Sequence, residues 1–216
     1  MIGIIALLLA IMVPAVTNVA KSNNLNTGGR LVANLLTAAR SEAINQRHLI
    51  QFRIATRWLN SSGGEDASLS YRKFSVWRRP QPTDTLQSTD PNDPYMQASA
   101  WETLPPGIIF ERDTSGYDNL PASGTPTDPG TFFLEPTLGN TRTGVRVPNG
   151  TADVAWIEFA PTGASIVSGT TPAKTYLLLT EGVWNGTSLT STHPGHPNWL
   201  VATVDTLVGR IKVVRP

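Results

Sequence analysis

The chain of 216 residues contains no cysteine. Disulfides, thiolate metal sites and cysteine nucleophiles are excluded with it. Charge is sparse: Lys, Arg, Asp and Glu make up 15% of the residues, and the formal net charge is +1. That balance gives no general attraction to nucleic acid or acidic lipid, so any charge-driven binding needs a local patch. Histidine occurs three times. The sequence has no nucleophile elbow, phosphate-binding glycine loop, zincin helix or paired-carboxylate motif. It also shows no fixed-period repeat. The expected protein is not an enzyme and needs no cofactor.

The length favours a single domain. Eighteen glycines and 17 prolines are many, yet below the disordered range, and six Trp with six Phe are enough to fill a core. The chain opens on MIGIIALLLAIMVPAV, sixteen residues without a polar side chain, and the first charge is Lys21. Three readings are open. A cleaved secretion signal wants a basic start, and only Met1 precedes the run. A buried core helix suits a run this short. A membrane helix needs more, because sixteen residues reach roughly 24 Å against a hydrocarbon core of about 30 Å. Pro14 interrupts the run and would bend or locally melt a helix there.

The helical pattern continues in GGRLVANLLTAARSEAINQRHLI. Val32, Leu36, Ala39 and Ala43 recur at spacings of four, three and four, one apolar stripe of a surface helix. Gly28 and Gly29 weaken the middle and predict a flexible joint. After His48 the period becomes two. Ile50, Phe52 and Ile54 share one strand face while Gln51 and Arg53 take a solvated one. NSSGGED reads as a turn and LSYRKFSVWRR as a second strand, making a hairpin. Residues 80–136 hold ten of the 17 prolines, so that stretch reads as loop around short edge strands in GIIFE and TFFLE. Strands return in VAWIEFA, TYLLLTE, WLVATV and RIKVVR. The predicted class is α+β, an antiparallel sheet packed on the second half of the helix.

The order of these pieces resembles the bacterial type IV pilin-like proteins, in particular the minor pseudopilins of the GspH/FimT type in type II secretion and pilus systems. The resemblance rests on the apolar helix with its internal proline and on LLTAARSEAINQRHLIQFRI, where an Ala-Arg-x-x-Ala-Ile element runs into the first strand. WETLPPGIIFE adds a Trp…Leu-Pro-x-Gly element. IEFAPTGAS and VDTLVGRIKVV add a Phe-x-Pro-x-Gly turn and a closing Gly-Arg strand. The family's basic leader and its Phe-Thr-Leu-Ile-Glu start are not in this sequence, which points to an internal start, and the proline-rich insert is similar to that of longer, cassette-type prepilin-like proteins.

The resemblance implies residues 1–27 as a membrane and filament-core helix, carried by Ile4, Ile5, Leu7, Leu8, Leu9, Ile11 and Val13 with Pro14. Residues 28–216 would form the head, with the insert at about 78–136. The implied protein is a structural subunit of a pilus-like or pseudopilus filament. Its implied partners are other pilin subunits, inner-membrane lipid and assembly-platform proteins. The implied place is a single pass of the inner membrane with the head in the periplasm or on an extracellular filament.

The alternative is a surface-exposed ligand-binding module, with DNA as one ligand. Arg210, Lys212 and Arg215 are its candidate phosphate contacts, since related minor pilins use a basic closing strand in this way. A charged edge strand is the plainer reading. Asp90, Asp93, Asp113 and Asp118 are calcium candidates on loops, set against ordinary Asp-initiated turns. His193 and His196 lack a third metal ligand and read as a turn. Arg53, Arg72, Lys73, Arg78 and Arg79 form a basic strand region that reads as a solvated face, or as one for lipid headgroups or an acidic partner.

Overall fold

The computed structural model describes residues 2–81, 84, 93–111, 130–132, 141–166, 174–186, 189–191 and 198–215, of which 2–20, 130–132 and 189–191 are described by backbone alone. One helix, α1 (Ile2–Gln46), spans 45 residues without a break at Pro14. At 1.5 Å per residue it is about 68 Å long. It stops at Arg47, which takes a left-handed turn (φ 55°) in the position where glycine is usual.

Leu25, Val32, Leu36, Ala39 and Ala43 are fully buried along one side of α1. Gly29 completes the series, because a Cβ there would lie 2.6 Å from Leu200 Cδ1. A Cβ on Gly28 would meet Pro105 Cδ at 3.3 Å. The two glycines therefore let the head approach the helix backbone, and the helix does not part at them as a joint would. Contacts with the head also start before residue 28. Asn24 Nδ2 donates to the Pro106 carbonyl (3.2 Å), and Ser22 Oγ lies 3.3 Å from Arg215 Nη2.

Two sheets share the helix. The first runs β3 (Met96–Gln97), β2 (Lys73–Arg78), β1 (Ile50–Asn60), β8 (Gly150–Phe159), β7 (Thr141–Val147), with β4 (Glu102–Thr103) on β2 and β9 (Ser165–Ile166) on β8. Every pairing in it is antiparallel. The second runs β11 (Leu189–Ser191), β10 (Lys174–Trp184), β12 (Trp199–Asp205), β13 (Ile211–Val214), with β5 (Ile108–Glu111) and β6 (Gly130–Phe132) also on β10. The single sheet expected from sequence is thus two. One pairing, β6 with β10, is parallel.

Alternation explains the core. Ile50, Phe52 and Ile54 of β1, Phe74 and Val76 of β2, and Ile157 and Phe159 of β8 point at α1 from the first sheet. Leu177 and Leu179 of β10 with Leu200, Ala202 and Val204 of β12 point at it from the second. Tyr71 ties the sheets together. Its N–H donates to the Ala55 carbonyl (2.8 Å), and its own carbonyl accepts from Phe110 N (2.9 Å). It does so in a left-handed conformation, φ 57°, that bulky residues rarely adopt.

Candidate functional site

The face of the first sheet turned away from α1 is not solvated. Thr56 has no partner in the β1–β8 register, which passes from Ala55↔Val154 to Arg57↔Asp153. This bulge shifts the alternation by one, so Trp58 joins Ala55 on the outer side and not Ile54 on the inner. Trp77, Val154 and Tyr95 fill the same outer cluster, with Trp101 and Trp156 packed against it.

Arg53 lies inside this aromatic layer at 1% exposure. Its guanidinium stands 4.3 Å from the Trp77 ring centre, 5.4 Å from Tyr95 and 5.8 Å from Trp156. A buried charge needs a counter-charge and filled hydrogen bonds, and both are present. Nη1 and Nη2 donate to the two carboxylate oxygens of Asp93 at 2.6 and 3.0 Å, and Nε donates to Gln51 Oε1 at 2.8 Å. Gln51 Nε2 and the Tyr95 hydroxyl both donate to Glu158 Oε2, at 2.8 and 2.5 Å. Burial and the bond to Glu158 push the Tyr95 phenol up to about 12. The arrangement is a clasp, in which the sheet holds the insert by one of its carboxylates.

The other cations of the basic strand region do related work. Arg78 grips Asp84 with two bonds of 2.9 and 2.8 Å. Arg72 Nη2 donates to the Leu104 carbonyl at 2.8 Å, and Arg79 lies 5.7 Å from the Tyr95 ring centre. The expected solvated face, or face for lipid headgroups, is in fact the seat of the insert. Sequence reasoning missed this because the partners are 6 to 40 residues away. The available signal was the set of outward aromatics, Trp77 and Trp156, on strands whose other face was already apolar.

Asp93, a calcium candidate, is Arg53's counter-ion, with Arg142 Nη1 a further 3.5 Å from Oδ1. Two guanidiniums on one carboxylate leave no place for a cation. Asp90, Asp113, Asp118, His193 and His196 lie outside the described residues. Among the described residues no cluster of three metal-ligating side chains occurs. Of the candidate phosphate contacts, Arg210 and Lys212 are exposed at β13. Arg215 is used internally: it donates to Asn198 Oδ1 (2.6 Å) and lies 3.3 Å from Ser22 Oγ and from Asn26 Oδ1.

Two quoted motifs meet at the C-terminal part of α1. Gly163 of the Ala-Pro-Thr-Gly turn and Gly209 of the closing Gly-Arg element are both left-handed, φ 84° and 64°. Arg40 Nε donates to the Val208 carbonyl (2.9 Å), and Ser165 N donates to the Thr206 carbonyl (3.0 Å), joining the two loops and the helix. Ile4, Ile5, Leu7, Leu8, Leu9, Ile11, Val13 and Pro14 all lie within α1. Among the residues with described side chains no helix is long and apolar enough to cross a membrane, and the stretch on which the expected single-pass span begins, residues 2–20, is described by backbone alone.

Beside the clasp is an open groove of about 530 Å³ between Trp58, Trp101, Lys73, Gln97 and Asn149. The Trp58 and Trp101 rings meet edge to face, 5.3 Å apart at 90°.

No protein-family model matches the chain, and no curated protein matches it in sequence. Among solved structures it is similar to the minor pseudopilin EpsH from the Type 2 Secretion System of Vibrio cholerae, at 12% identity over 89% of this chain and 96% of that one, with a TM-score of 0.39. A likeness that distant does not assign the chain to a family.

Proposed function

We propose that the chain is a pilin-like structural subunit of a pseudopilus or pilus-type filament, without catalytic activity. One observation carries the reading. A single 45-residue helix is welded to a two-sheet head along Leu25–Ala43, while its residues 2–16 offer no polar side chain. A helix of that kind has an apolar end in need of an apolar environment. Inner-membrane lipid before assembly and the helices of neighbouring subunits after it both provide one, so transfer between them never exposes the run to water. The partners are then other pilin-like subunits and the platform that extracts them. The head stays outside the bilayer.

Leu8→Asp tests this. Changing a leucine to a carboxylate near the centre of an inserted helix costs about 3–4 kcal/mol on insertion scales, two orders of magnitude or more in partition. The wild-type chain is expected in the membrane pellet and the Leu8→Asp chain in the supernatant. Retention of Leu8→Asp in the pellet, against a detergent-extracted control, would show that the apolar end is not the anchor.

A further inference from the structure

The groove beside Trp58 is assembled from three separate stretches of chain. The β1–β2 hairpin gives Trp58, Asp66 and Lys73, the insert gives Gln97 and Trp101, and the β7–β8 turn gives Asn149. Its volume, about 530 Å³, suits a small ligand or a short piece of a polymer. The apolar wall is the half-buried Trp101 indole and the exposed edge of the largely buried Trp58, continued by Leu69 and Pro148. The rim is polar and partly unspent. Among the described residues, the Lys73 ammonium and the Asn149 amide make no hydrogen bond, and Lys73 only faces the Trp58 ring from 5.7 Å. Gln97 uses its NH₂ on the Ser99 carbonyl (2.6 Å), which leaves Oε1 free. Asp66 gives Oδ1 to Ser68, through both its N–H and its hydroxyl.

We infer that this groove binds a neutral saccharide. One ammonium and one carboxylate cancel, so neither an anion nor a cation is favoured by charge. A phosphate would want several cations, and a metal would want more than one half-used carboxylate. A sugar ring presents apolar C–H faces and a rim of hydroxyls that both donate and accept. The tryptophan walls match the first, and an amide that donates and accepts, an ammonium and a free amide oxygen match the second. The open shape admits a unit within a chain, as on a cell-surface polymer. The inference rests on the groove alone and stands whether or not the chain assembles into filaments.

The test is a titration of the full chain, kept in a detergent without a sugar headgroup. The probes are β-1,4-linked glucose, β-1,4-linked N-acetylglucosamine and α-1,4-linked glucose oligosaccharides. A proline-rich peptide and inorganic phosphate serve as the competing chemistries. Tryptophan fluorescence and heat of binding are read together. At least one oligosaccharide should saturate. Asn149→Gly, which keeps the left-handed turn at φ 63°, and Lys73→Met should each weaken it by about fivefold, one hydrogen bond's worth, with an unchanged melting temperature. Trp101→Ala should abolish it. Three results would overturn the inference: no oligosaccharide saturates, binding is indifferent to both Asn149→Gly and Lys73→Met, or the peptide or phosphate saturates where sugars do not.

Discussion

Replacing Asp93 with alanine is expected to destabilise the head by about 3–5 kcal/mol, because it leaves the Arg53 guanidinium buried without its counter-ion. The surroundings of Arg53 are indole and phenol rings at 4.3 to 5.8 Å. It cannot reach water without opening the outer layer. The loss would appear as a lower midpoint in urea, read by tryptophan fluorescence. The double replacement Arg53→Met with Asp93→Leu should recover most of it, since no lone charge remains.

The pH response follows from the same geometry. Burial pulls the Asp93 carboxyl upward, but its bonds to Arg53 and the guanidinium charge outweigh that and hold it below its ordinary 3.8. A lowered carboxyl adds stability above the unfolded value, and loses it as pH falls through the folded one. Tyr95, raised from 10.0 to about 12, adds stability below pH 10 and loses it as pH rises toward 12. Stability should therefore be flat between these limits as far as the clasp is concerned, and Asp93→Asn should remove the acid step alone. A midpoint for Asp93→Ala within about 1 kcal/mol of wild type, the range of an exposed pair, would contradict the clasp.

The second large effect is expected at Gly209. A Cβ there would lie 1.8 Å from the Gly163 carbonyl oxygen, 2.9 Å from Arg40 Nε and 3.0 Å from Arg40 Cδ, on a backbone with φ 64°. The first obstacle is backbone, which cannot swing aside as a side chain can. Left-handed strain and overpacking together give Gly209→Ala a cost of about 3–5 kcal/mol. Gly186→Ala is the matched control, because its φ of 92° is also left-handed but, among the described residues, nothing lies within 4 Å of the added Cβ. The control isolates strain from collision. Similar melting temperatures for the two variants would mean that the loops do not interlock as described.

The coarse fold was legible because its signals are local. A long helical period, then alternation in VAWIEFA, TYLLLTE, WLVATV and RIKVVR, give α+β, and these segments fall on β8, β10, β12 and β13. What was not legible is set by distant pairing. β5 reaches β10 across nearly seventy residues, and β6 joins it in parallel, which no local period encodes. Arg53 shows the limit most clearly. Alternation placed it on the face opposite Phe52, which is correct, but a charged residue reads as solvated until its partner is known, and Asp93 is 40 residues away in a proline-rich stretch. Gly28 and Gly29 failed for a related reason. Helix propensity counts their cost but is blind to Leu200 and Pro105, which need the room. The groove was unreadable as a unit because it draws on three segments and owes Trp58 to a one-residue bulge.

The central claim is that the apolar end of α1 stays on the protein and holds it among lipid or other helices. The direct measurement is mass spectrometry of the natural product after separating membrane and filament material from the soluble fraction. The peptide running through Ile4, Leu8 and Val13 to Lys21 is the diagnostic one. The account predicts that peptide in the membrane and filament material, together with peptides of the head. Head peptides found only in the soluble fraction, from a monomer that has lost this segment, would contradict it.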